Sequence, residues 1–286
     1  MNKNKWISVL LVLTFLMGLS LVLYPSFSDY WNSTRQSSAI AFYVEEINTM
    51  EQERKQAMMD EARAYNEALK ERSNVYVLPD ELRLRYSNTL NASGTGIMAY
   101  VEIPSINVML PGYHGTSDAV LQTAVGHIEW TSLPIGGKGT HTVISGHRGL
   151  PSARLFTDLD KVVEGDTFLL QVVDETLTYE VDQILIVEPE TVKDLAPTED
   201  KDYCTLVTCT PYAVNTHRLL VRGHRVENQV VETSVRLVSE ASKIEPMLVA
   251  SVVAVPLILL LLTLYLLDDW IWGKKKKEIA SWEELV

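Results

Sequence analysis

From Ile97 to Val226 the chain is a succession of short apolar runs, each closed by glycine, proline or a polar turn: IMAYVEI (97–103), INVML (106–110), THTVIS (140–145), TFLLQVV (167–173), TLTYEVDQILIV (176–187), YCTLVTC (203–209) and RLLVRGHRV (218–226). They are rich in β-branched and aromatic residues, which fit a pleated, half-buried surface. Many short strands at this spacing argue for a closed barrel or a sandwich as the centre of the fold. Short helices are expected over 117–124 and 152–160.

The flanks are of another kind. Residues 36–72 carry Ile40, Tyr43, Val44, Ile47, Met50, Met58, Ala62, Tyr65 and Leu69 at three- and four-residue steps, the spacing of a helical stripe. Unbroken, that helix would measure about 55 Å at ~1.5 Å per residue; two helices with a bend near 53–56 fit equally well. It reads as a stalk or bracket between membrane and domain, with a coiled-coil partner helix as the alternative. Residues 73–96 lose the period, and Pro79, Asn88, Asn91, Gly94 and Gly96 mark a long loop.

Both ends are apolar enough for a bilayer. Trp6–Tyr24 is uncharged, follows Lys3 and Lys5, and approaches the ~20 residues that a spanning helix needs. No good small-x-small cleavage site follows it, Ser26-Phe27-Ser28 being a poor one, so an uncleaved anchor is favoured over a signal peptide. Met247–Leu267 is a second span, followed by Trp270, Trp272 and four lysines, 274–277. Lysines on both outer flanks place both termini in the cytoplasm and the middle outside. A net charge of -12 and a pI near 5.0 argue against nucleic acid as a partner.

The two cysteines, Cys204 and Cys209, are separated by roughly 16 Å of extended chain against ~5.5 Å for a disulfide. Their odd offset in a strand also directs them to opposite faces. An unpaired thiol in an extracellular protein usually serves chemistry. Cys209 ends its run, with Thr210-Pro211 stopping the strand; Cys204, in mid-strand, reads as core. A thiol needs a nearby positive charge to become a good nucleophile. Arg218 supplies one, because the short loop PYAVNTH (211–217) turns the chain back. Its forked donors suit a carbonyl or a developing oxyanion. A base or acid must complete such a site. His147, in SGHRG after the run THTVIS, is the first candidate and His141, of the same strand parity, the second. His114, His127, His217 and His224 read as structural.

The segments EIPSINVMLPGYHGT (102–116), THTVISGHRGLPSARLFTDLDKV (140–162) and TLVTCTPYAVNTHRLLVRGHR (205–225) closely resemble sortases, and most of all the pilus-building branch called class C. The resemblance implies a closed eight-stranded β-barrel with the site in a groove on its wall. It puts His147, Cys209 and Arg218 on the catalytic positions. It further implies cleavage of an LPxTG-like sorting signal between threonine and glycine through a cysteine thioester, with a pilin lysine as the acceptor amine. The partners implied are pilins or other surface proteins bearing such signals, together with the lipid bilayer. That branch often covers its cleft with a lid carrying an Asp-Pro-aromatic motif. Here VLPDELRLRY (77–86) has proline and aspartate in reversed order; the expectation is that Asp80 or Glu81 pairs with Arg218 while Leu82 or Leu84 shields Cys209.

No cofactor is expected. The carboxylates Asp158, Asp160, Glu164 and Asp166 lack the calcium-loop pattern, no His/Cys set has zinc spacing, and no glycine-rich phosphate loop follows a strand. The whole reads as a mostly β fold: a closed eight-stranded barrel with short helices, an amino-terminal helical segment and two transmembrane helices. The expected divisions are an anchor (1–30), a helical stalk (31–73), a lid loop (74–96), the catalytic barrel (97–228), a linker (229–246), a second span (247–267) and a cytoplasmic tail (268–286). The alternatives are a sortase that attaches proteins to peptidoglycan, or a non-catalytic surface scaffold.

Overall fold

The computed structural model describes residues 3–228. It contains eight strands: β1 (Ile97–Ile103), β2 (Val108–His114), β3 (Val125–His127), β4 (Thr140–Ser145), β5 (Thr167–Val172), β6 (Glu175–Val187), β7 (Asp202–Thr210) and β8 (His217–Val226). They close into one barrel in the order β1-β2-β3-β4-β7-β8-β6-β5. Neighbours are antiparallel except β2/β3 and β4/β7, which run parallel. Closure leaves no sheet edge unpaired.

The inward face of each strand is apolar. Ile97, Ala99, Val101 and Ile103 of β1 alternate toward a core shared with Ile144, Phe168, Leu170, Tyr179, Leu206 and Val221. Gly223 of β8 belongs to this layer: a Cβ there would lie 2.8 Å from a ring atom of Phe168 and 2.9 Å from Tyr179. At about 25 cal/mol per Å2 of apolar surface removed from water, this layer is the main favourable contribution to folding.

Helix α1 runs unbroken from Lys3 to Thr49, and α2 covers Gln52–Lys70. The break falls at Met50 and Glu51, slightly before the expected bend. The chain divides into two compact units with a boundary inside α1 after Phe27. In the second unit the helices are not a free stalk. Tyr43, Ile47, Met59, Ala62, Tyr65 and Leu69 are buried in the same core as the barrel residues. The Tyr43 hydroxyl donates to the Met98 carbonyl (3.2 Å) and accepts from the Val173 N–H (2.8 Å). Asn66 of α2 exchanges two hydrogen bonds with the backbone of Leu133, at 3.2 and 2.7 Å. The three- and four-residue stripe is thus the face laid against the barrel.

Upstream of the second unit, α1 is apolar and exposed, with mean hydropathy 2.0 over its most apolar window, long enough to cross a membrane. The second span expected from the sequence, 247–267, lies outside the described residues. The stretch read as a loop before the barrel contains a helix, α3 (Asp80–Tyr86). The helix expected over 117–124 shrinks to α4 (Asp118–Leu121). Residues 152–160 form turns that end in a 3-10 turn, Leu159–Lys161, and not an α-helix.

Candidate functional site

Two registers place the site. β7 and β8 pair so that Cys209 lies directly opposite Arg218. Opposite residues in an antiparallel pair share a face, with Cα atoms ~4.5–5.5 Å apart. On the other side of β7, β4 runs parallel with Ser145 beside Val207. The ladder continues past the strand end, since Gly146 N–H donates to the Val207 carbonyl at 3.0 Å. Thr208 Oγ1 then donates to the Gly146 carbonyl at 2.8 Å. Extrapolated two residues past the end of β4, the same register sets His147 level with Cys209. Beyond Arg218 the next neighbour is Val187 of β6.

Parity puts this row outside the barrel. Cys204, Leu206 and Leu219 face the inner core, so Cys209 and Arg218, at odd offsets from them, face outward. A small second cluster lies beneath them on the same face: Val143, Leu195, Val207 and Leu220, flanked by Ile128, Trp130, Leu185 and Val187. His147, Cys209 and Arg218 are half-buried. The thiol of Cys209 and the guanidinium of Arg218 thus lie on the outer wall of the barrel, on the same face as a buried apolar cluster.

Local chemistry explains the delivery of His147. A Cβ on Gly146 would sit 2.7 Å from Phe156 and 2.9 Å from Val125, so only glycine lets the strand leave β3 and β4 at this point. The Phe156 N–H returns to the His147 carbonyl at 3.1 Å. Arg218 Nη1 donates to the carbonyls of Asn215 (3.3 Å) and His217 (3.1 Å) in its own loop. Cys204 is fully buried and burial pushes its thiol well up. Both thiols are free, on opposite faces.

His141 does not join the row. It lies at the other end of β4, about 20 Å from His147 at ~3.3 Å per residue. Its ring is buried, with Nδ1 3.1 Å from the Ala196 carbonyl and Nε2 2.7 Å from Thr205 Oγ1. The carbonyl can only accept, so Nδ1 carries a proton. Burial lowers its pKa to about 4. A concavity of about 510 Å3 opens beside His141, between Arg72, Trp130, Lys138 and Leu195, and includes none of the three row residues.

Among the described residues, no hydrogen bond or ion pair joins the four residues expected to form a lid to the row. Asp80 and Glu81 form no ion pair with Arg218 among the described residues. Leu82 packs against the inner core, and Leu84 is 77% exposed. The reason lies in the anchoring of α3. Arg83 pairs with Glu129 at 2.7 Å, and the buried Tyr86 hydroxyl sits 2.9 Å from His127 Nδ1 while accepting from the Gly115 N–H. Instead α1 approaches the loop after His147: Asn32 Nδ2 donates to the Ser152 carbonyl and Asp29 accepts from the Arg154 N–H, both at 2.7 Å. Those contacts, and a buried Arg148 beside His147, had no signal beyond the letters themselves.

Comparison with known proteins accords with this architecture. The sortase domain family matches residues 101–226. Sortase C1 from Streptococcus agalactiae is 50% identical, covering 67% of this chain and 100% of that one, with a TM-score of 0.65. A lid mutant of sortase A from Corynebacterium diphtheriae is 43% identical, over 63% and 97%, with a TM-score of 0.59. Clostridium perfringens sortase C, solved with the C-terminal cell wall sorting motif, is 42% identical, over 67% and 99%, with a TM-score of 0.59. The chain belongs to the sortase family of cysteine transpeptidases, and its solved relatives include class C members.

Proposed function

We propose that the chain is a pilin polymerase, with Cys209 as nucleophile, His147 as proton donor and acceptor, and Arg218 as the group that holds substrate and oxyanion. The observation that supports this reading is the register that puts Cys209 opposite Arg218 on the outer face, with the β4–β7 ladder continuing through Gly146 toward His147. The Cys209 thiolate adds to the threonine carbonyl of an LPxTG-like signal. Arg218 donates to the oxygen as it takes up negative charge. The carbon–nitrogen bond breaks, His147 gives its proton to the leaving glycine amine, and a thioester remains. A pilin lysine amine then attacks the thioester and loses a proton to His147. The carbon–sulfur bond breaks, the thiolate returns, and an isopeptide bond joins the two subunits.

The sortase C of C. perfringens solved with a sorting motif supports the substrate class, and the sortase C names among the relatives favour the pilus role. In this reading 97–228 is the catalytic domain and α1 begins as its membrane anchor. With a second span at 247–267, both ends lie in the cytoplasm. The test uses full-length protein in detergent micelles with a candidate pilin. Covalent ladders that disappear for Cys209→Ala support the reading. Ladders that persist in that variant, or cleavage of the signal without any ladder, refute it.

A further inference from the structure

We propose that Arg148 is a positioning residue that locks the His147 loop onto the end of β7, fixing the imidazole against the Cys209 thiol. The proposal rests on the catalytic reading above. Arg148 follows His147 directly, yet its side chain is only 8% exposed, with Nη2 ion-paired to Asp160. Nη1 donates to Thr210 Oγ1 at 3.3 Å, and Thr210 follows Cys209 directly. The guanidinium carbon stands 5.8 Å from the Tyr212 ring centroid, and that same ring lies 3.0 Å from where Gly149 would carry a Cβ. One side chain therefore touches the neighbour of the nucleophile, the loop beyond it and the turn that ends the His147 segment. Its Nε is buried without a hydrogen-bond partner. A guanidinium desolvated to that degree is tolerated where its charge is paired and its geometry is over-determined by its surroundings. The backbone bonds of Gly146 and Phe156 hold the loop's two ends, and Thr208 Oγ1 ties the first of them to β7; Arg148 adds a side-chain tie to β7 from between them.

The test compares Arg148→Gln, Arg148→Lys, Asp160→Asn and the Gln/Asn double variant in the full-length protein in micelles. Two readouts are used: steady-state cleavage of an LPxTG peptide, and the pH dependence of Cys209 alkylation by iodoacetamide. For Arg148→Gln, kcat is expected to fall about 10- to 100-fold with KM within about twofold, the range for a reacting group displaced by an ångström. Arg148→Lys recovers part of the loss, since one ammonium cannot bridge Asp160 and Thr210 together. The double variant is no worse than Arg148→Gln, because the two residues act as one unit. The pH profile of alkylation departs from that of wild type, because the imidazole no longer holds its place beside the thiol. A lowered Tm with kcat and alkylation profile unchanged, or a loss confined to KM, would overturn the proposal. The alkylation profile needs no substrate, so it decides the role of Arg148 even if the peptide is not turned over.

Discussion

Two buried neutral histidines should make the barrel acid-labile in a window that carboxylates leave largely open. His127 of β3 has Nε2 2.8 Å from the Ser132 carbonyl and Nδ1 2.9 Å from the Tyr86 hydroxyl. Burial lowers its pKa from 6.5 to about 4, as it does for His141. The unfolded chain takes up a proton at each ring near pH 6.5, whereas the folded one resists until about pH 4. Stability is therefore highest above pH 6.5 and falls as pH drops toward 4. At about 1.4 kcal/mol per pH unit per proton, each ring costs roughly 3 kcal/mol by pH 4. The joint slope is at most ~2.7 kcal/mol per pH unit, or about 4 kcal/mol between pH 6.5 and 5. That is a large share of a typical folding stability of ~5–15 kcal/mol. The assay is urea unfolding followed by circular dichroism at pH 7.5, 6.5, 5.5 and 5.0, on wild type and on His127→Gln/His141→Gln. The double variant should lose most of the slope even if it is less stable throughout. A wild-type stability flat within about 1 kcal/mol from pH 6.5 to 5, or an unchanged slope in the variant, would refute the reasoning.

Iodoacetamide should modify one thiol in the folded protein and two in urea, because Cys204 is fully buried and Cys209 is not; peptide mapping that finds Cys204 modified under native conditions would contradict the facing argument. Gly146→Ala should lower stability by about 1–3 kcal/mol through overpacking against Phe156 and Val125. It should also lower kcat by at least about tenfold as His147 is displaced; thermal melts and peptide cleavage read both. Asn66→Leu fills the same space but strands the Leu133 N–H, since the Leu133 carbonyl keeps Thr142 Oγ1 at 3.2 Å. The expected cost is about 2 kcal/mol, a Tm drop of roughly 4–8 °C for a domain of this size.

Much of the architecture is legible locally. Alternation places β1 and β4 at their observed bounds, and the parity of Cys204 and Cys209 places one thiol in the core and the other on the outer wall. Two elements escape such reading for physical reasons. β3, Val125–His127, is too short to show a period of two, and α3 lies among proline and asparagine residues that signal turns. His141, in β4, and His147, two residues past its end, have the same strand parity, and parity does not separate them. Only the tertiary structure does so, by closing His141 under Ala196 and Thr205 while extending the ladder past Gly146.

The sequence by itself determined most of the strand segments, the opposite faces of Cys204 and Cys209, and that Cys209 and Arg218 adjoin across one short turn, because alternation and turn chemistry act over a few residues. The pairing of β4 with β7, on whose continuation the proposed role of His147 rests, and the seating of α1, α2 and α3 on the barrel were decided only in three dimensions. Those contacts join residues tens of positions apart. Their geometry follows from barrel closure and from which apolar faces cover one another, and no local pattern carries that information.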